Sequence, residues 1–193
     1  MTRKRVAILI SGRGSNMAAL IEAAKAPDYP AEIVLVLSNI ADAGGIARAK
    51  ESGIATEVVA HKPFGKDREA FDRAVQAVLE RHKIDIVCLA GFMRVLTPWF
   101  VGQWAGRMIN IHPSLLPAFR GLNTHERAIA DGAAQHGATV HFVTAELDDG
   151  PIIAQESIAV LPGDTPESLA ARVLAVEHRL YPLALKRVAE QRA

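Results

Sequence analysis

A chain of 193 residues, half of them hydrophobic, is long enough to bury a substantial core and is most simply one domain over residues 1–193. A formal net charge of +1 without a clustered Lys/Arg tract argues against nucleic acid or an anionic membrane surface as partner and leaves small molecules. The single cysteine, Cys88, excludes an intrachain disulfide, and its apolar setting in IDIVCLA reads as a buried thiol in a reducing cytoplasm.

The opening MTRKRVAILIS imitates a basic leader, but its apolar run at residues 6–10 is too short for a signal core or a membrane span and reads as the first strand. Further apolar runs, EIVLVLS at residues 32–38 and DIVCLA at 85–90, alternate with helical patterns at 17–25 and 67–83. Near-continuous β-branched runs without polar alternation belong to strands covered on both faces, hence to a parallel sheet with right-handed crossovers. The expected fold is α/β: a single doubly wound, mostly parallel sheet with helices on both faces and antiparallel strands in the C-terminal half. Residues 1–100 form a phosphate-binding βαβ half, and residues 101–193 a second half that is not an independent domain.

Between the first strand and the first helix lies SGRGSN at residues 11–16. Backbone N–H groups and the helix dipole favour an anion there, and glycines 12 and 14 permit close approach of a phosphate. A dinucleotide fingerprint requires a third small residue at position 17 and an acid ending the second strand, whereas the chain has Met17 and Ser38-Asn39. No Gly-Lys-Ser/Thr follows, so the loop is not a P-loop either.

The later elements change character. In MINIHPSLLP, alternation along an extended chain places Asn110 and His112 on one face and Ile109 and Ile111 on the other. Pro113 removes a ladder donor, so the strand stops near His112 with both polar groups at its end, where α/β folds hold their ligands. A short helix near residues 124–130 precedes ATVHFV and PIIAQESIAV, which the Asp/Gly/Pro connection ELDDGP joins as a hairpin. Thr165 caps a last helix that starts at Pro166 and turns Leu169, Val173, Val176 and Leu180 to one side. Asp148 and Asp149 lie beyond ATVHFV, where a carboxylate can reach the imidazole of His112; spacing alone does not choose between them. His61, His82, His125, His136, His141 and His178 lack metal-ligand spacing, and Ser11, Ser15 and Ser114 lack the setting of a hydrolase nucleophile.

Taken in order, SGRGSN, LAGFMRVL, INIHPSLLP, HFV with ELDDGP, and the late VEH closely resemble the glycinamide ribonucleotide formyltransferase family over nearly the whole chain. INIHPSLLP alone marks the wider group of folate-dependent formyltransferases, and SGRGSN narrows it to those acting on a ribonucleotide. The resemblance implies transfer of a formyl group from 10-formyltetrahydrofolate, a cosubstrate, to the amine of glycinamide ribonucleotide in purine synthesis, in the cytoplasm and without metal. It implies that Asn110, His112 and Asp148 are the catalytic trio, the choice of Asp148 coming from the resemblance. It likewise implies that Gly14, Ser15, Asn16 and Glu177 bind the ribonucleotide. The folate contacts are Arg68, Met93, Arg94, Val95, Leu96, Asn110 and the segment Thr144, Ala145, Glu146, Leu147 and Asp148. The match departs at Asn123, near which the family commonly has histidine, so neither Asn123 nor Arg120 receives a role. The competing readings are a methionyl-tRNA formyltransferase or formyltetrahydrofolate deformylase, whose extra domains this length does not accommodate, and a nucleotide-binding module without catalysis.

Overall fold

The computed structural model describes residues 2–191. Strands β1 (Lys4–Ile10), β2 (Ala31–Ser38), β3 (Ala55–Val58), β4 (Ile86–Leu89), β5 (Met108–His112), β6 (Gln135–Phe142) and β7 (Ile152–Ala159) form one sheet in the order β3-β2-β1-β4-β5-β6-β7. The first five run parallel; β6 is antiparallel to β5, and β7 to β6. Between them lie α1 (Ser15–Ala23), α2 (Gly44–Glu51), α3 (Arg68–Arg81), α4 (Pro98–Gln103) and α5 (Thr124–Ala130), with α6 (Pro166–Glu190) at the end. This is the doubly wound architecture with an antiparallel C-terminal part that the hydrophobic pattern predicts. The pattern did not predict α2, β3 or α4. β3 is a four-residue edge strand without a buried residue, and α4 has only six residues, so neither carries a readable period.

The two faces of the sheet are buried by different helices. Val6, Ile8 and Ile10 of β1 and Ile109 and Ile111 of β5 pack with α1, α2 and α6. Ala7 and Leu9 of β1, Val87 and Leu89 of β4, and Met108 of β5 pack with α3 and α4. Strand alternation therefore sets which side chains of β5 meet which layer. On the α3/α4 side the apolar layer ends at Met108, and Asn110 and His112 follow on that same side.

β1 and β4 are neighbours, yet the chain leaves β1 toward β2 and leaves β4 toward β5. The carboxyl ends of such a pair diverge into the crevice where open α/β sheets bind ligands. Thr165 caps α6 as expected: its hydroxyl accepts from Ser168 N–H, and Ser168 returns a bond to the Thr165 N–H, with Pro166 in the first turn. No helix among the described residues is long and apolar enough to cross a membrane.

Deep in the core, the hydroxyl of Tyr181 on α6 lies 2.8 Å from the Leu89 carbonyl and 3.1 Å from that of Ile109, bridging β4 and β5 beside Asn110. Burial pushes its phenol, and the Cys88 thiol beside it, upward, the thiol to about 12, so both stay protonated. Tyr181→Phe leaves two buried carbonyls without this donor and is expected to lower the unfolding free energy by about 1–2 kcal/mol in urea denaturation.

Candidate active site

β5 pairs with β6 so that Asn110 stands opposite His141 and His112 opposite Thr139, putting Asn110, His112 and His141 on one face. The segment after β6 folds back over that face. It brings Asp148 Oδ2 to 3.5 Å from His112 Nδ1 and Asp148 Oδ1 to 3.9 Å from His141 Nε2, all three residues being buried. Asp148 adopts φ 50°, a left-handed conformation that aspartate tolerates better than most side chains. Gly150 is required for the same return, because a Cβ there would collide with the Phe142 carbonyl. Gly121 N–H donates to Asp148 Oδ2 at 2.9 Å, tying the carboxylate to the segment that follows β5.

Each ring at this strand end is oriented by a second contact. His112 Nε2 lies 2.9 Å from the Phe119 carbonyl, so Nε2 carries a proton and Nδ1 faces Asp148. Burial pushes His141 down and keeps it neutral; its Nδ1–H donates to the Phe142 carbonyl at 2.9 Å, and its Nε2 accepts from Asn110 Nδ2 at 3.4 Å. His141 is the residue that sequence reasoning passed over. The signal was its place two positions from Thr139 on an alternating strand, which becomes informative only once the β5/β6 register is known.

These groups line a cavity of about 920 Å³. Its wall includes Met93, Arg94, Val95 and Leu96, and the whole of 144–148, so the two segments that the resemblance assigns to folate come together around Asn110 and His112. Arg68 does not join them: it is exposed in the first turn of α3, one turn before Asp72. Glu177 on α6 also lines the cavity, buried, and burial pushes its carboxyl up while the Asn16 amide, donating at 3.1 Å, pulls it partly back.

Asn16 lines a second, smaller pocket of about 190 Å³ as well, with Gly12, Arg13, Gly14, Ser15, Ala90 and Gly91. Gly14 is the N-cap of α1 at φ 71°, where a Cβ would also come 3.1 Å from the Cα of Gly45. No side chain caps α1: Gly14 is the N-cap and the expected caps Ser15 and Asn16 are its first two helical residues, so the first amides are left without a side-chain partner at the edge of this pocket. Met17, in place of the small residue of a dinucleotide fingerprint, is fully buried beneath the loop. Among the described residues no group of three or more His, Cys, Asp or Glu side chains is arranged to hold a metal ion.

Ligand-binding crevices of this kind occur in many α/β enzymes, and comparison narrows the class: the family model for formyl transferase matches residues 4–185, and the chain belongs to that family. Phosphoribosylglycinamide formyltransferase of Escherichia coli (strain K12) is 46% identical over 187 residues, which are 97% of this chain and 88% of that protein. The trifunctional purine biosynthetic protein adenosine-3 of Bos taurus is 51% identical over 187 residues, and the match spans only 18% of that relative's length. Among solved structures, the crystal structure of phosphoribosylglycinamide formyltransferase from Brucella melitensis aligns with a TM-score of 0.94 at 55% identity, covering 100% of this chain and 98% of that one.

Behind the site, His136 is fully buried, with its Nε2 3.1 Å from His125 Nδ1 and its ring edge-on to Phe119 at 5.9 Å. Burial, reinforced by the neighbouring rings of His125 and His112, holds His136 down to about 4 from an ordinary 6.5. Between those values the unfolded chain binds a proton that the native ring refuses, so stability is full above pH 6.5 and is lost as pH falls toward 4. The unfolding free energy should fall by up to about 1.4 kcal/mol per pH unit across that window in urea titrations, and His136→Gln should flatten this dependence.

Proposed function

We propose that this chain transfers the formyl group of 10-formyltetrahydrofolate to the primary amine of N1-(5-phosphoribosyl)glycinamide, a step of purine synthesis, in the cytoplasm. It acts as one domain in which residues 1–100 hold the ribonucleotide phosphate and supply the 93–96 wall of the folate cavity, and residues 101–193 supply the facing wall and the reacting groups. One observation carries this reading: Asn16 lines both pockets, joining a phosphate-sized site at the α1 N-terminus to the large cavity floored by Asn110, His112 and Asp148.

The residues fit both ligands. Amides at the start of α1, with Gly14 and Ser15, match a phosphate dianion. Asn16 Oδ1 is a buried acceptor without a partner among the described residues, and with Glu177 it suits the N–H groups at the glycinamide end. The larger cavity offers apolar wall from Val95 and Leu147 and a buried Arg94 Nη2 that also lacks a partner among the described residues. Such a site accepts a flat heterocycle with polar edges.

When an amine adds to a formyl carbon, negative charge develops on the oxygen, and the Asn110 amide and the His112 ring donate hydrogen bonds to it. For His112 to serve, its Nε2–H turns from the Phe119 carbonyl to the oxyanion. Asp148, beside Nδ1, accepts directly or through water the proton that the attacking nitrogen releases, and this proton passes to the folate nitrogen as its bond to the formyl carbon breaks. The departing folate nitrogen regains a proton, so no covalent enzyme intermediate is needed.

The direct test is formyl transfer with both substrates; a well-folded protein without turnover contradicts the proposal. In that assay Asp148→Asn should lower kcat by at least about a hundredfold with little change in Tm, as for loss of a positioned acid/base group. In calorimetric titration the dephosphorylated riboside should bind at least about a hundredfold more weakly than the ribonucleotide; equal dissociation constants would remove the phosphate from the α1 pocket.

A further inference from the structure

The wall segment 91–96 has no strand or helix of its own, so tertiary hydrogen bonds fix its path. At its far end Thr97 N–H and Oγ1 donate to the buried Asp72 carboxylate at 2.7 and 2.6 Å. At its near end, where Phe92 also stacks on Phe71, the hydrogen bonds come from one residue. Ser11, buried at the end of β1, donates its N–H to the Gly91 carbonyl at 3.1 Å, and its Oγ accepts from Met93 N–H at 2.8 Å.

The Ser11 hydroxyl has one proton, which goes to Asn39 Oδ1 at 2.5 Å. That leaves an oxygen lone pair aimed at Met93. Asn39 is itself buried at the end of β2, with His61 Nδ1 3.2 Å from its Nδ2 and 3.0 Å from its carbonyl, two contacts of which one ring nitrogen makes only one as a hydrogen bond. Asn39, Ser11 and Met93 thus form a hydrogen-bonded relay from β2 to the cavity wall. Ser38-Asn39 occupies the strand end where a dinucleotide enzyme keeps an acid for ribose, and here the asparagine faces Ser11 instead.

We propose that Ser11 is a positioning residue for the folate side of the cavity: although it begins the phosphate loop, its hydroxyl sets the backbone of residues 91–96, not the phosphate pocket. This rests on the reaction proposed above. Beyond Met93 the chain presents Met93 and Val95 at 69% and 64% exposure, a surface whose direction depends on this anchor. Without the hydroxyl, Met93 N–H and Asn39 Oδ1 both lose their partner.

The test compares Ser11→Ala with Ser11→Thr, which keeps the hydroxyl. Ser11→Ala should raise KM for 10-formyltetrahydrofolate, and its dissociation constant by calorimetry, about tenfold, with kcat and the ribonucleotide KM within about twofold of wild type. Ser11→Thr should restore the folate constant. An unchanged folate constant in Ser11→Ala, or losses spread over both substrates in step with a lower Tm, would overturn the assignment. The folate titration needs no turnover. Wild-type protein that binds folate without transferring formyl would therefore overturn the reaction while the titration still decides Ser11; wild-type protein that binds no folate would overturn both.

Discussion

The site depends on one packing constraint: β5 ends at His112 with polar side chains on a face that the α3/α4 layer no longer covers. Once that face is covered by other elements its polar groups need partners, because a buried imidazole without one is costly. The antiparallel β6 brings His141 onto that face, and the segment behind it folds back to seat Asp148 against both histidines. The left-handed Asp148 and the side-chain-free Gly150 are the local terms on which that return is possible.

The same return couples the parts of the site. Asp148 meets His112 through one oxygen and takes the Gly121 amide on that oxygen too, so the segment after β5 and the segment after β6 share a single carboxylate. Phe119 connects this pair to the buried His136 and its half-buried neighbour His125, since its carbonyl receives His112 and its ring rests on His136. On the other side Asn16 and Glu177 link the α1 N-terminus to the cavity. The proposed transfer between two bound molecules uses such adjacency, because much of the rate gain comes from holding two reactants in fixed orientation.

Much of this was legible in the sequence. Continuous β-branched runs gave the parallel strands, and alternation in INIHP gave the shared face of Asn110 and His112, which the structure has. Asp148 could not be separated from Asp149 by spacing, because the difference lies in a backbone reversal; in the structure Asp149 is half-exposed and paired with Arg120. His141 and the Ser11–Asn39 relay were hidden for a related reason. Their partners sit on strands far apart in the chain, and only strand register and order bring them together. Arg68, expected to contact folate from the resemblance alone, stands outside the cavity wall.

In this account His112 and Asp148 act as a unit, and a double-mutant cycle tests that most directly. Turnover by His112→Asn, Asp148→Asn and the double variant should be strongly non-additive, the double variant falling no more than about tenfold below the worse single one. Two losses that simply multiply would mean that the carboxylate and the imidazole contribute independently, and would contradict the account.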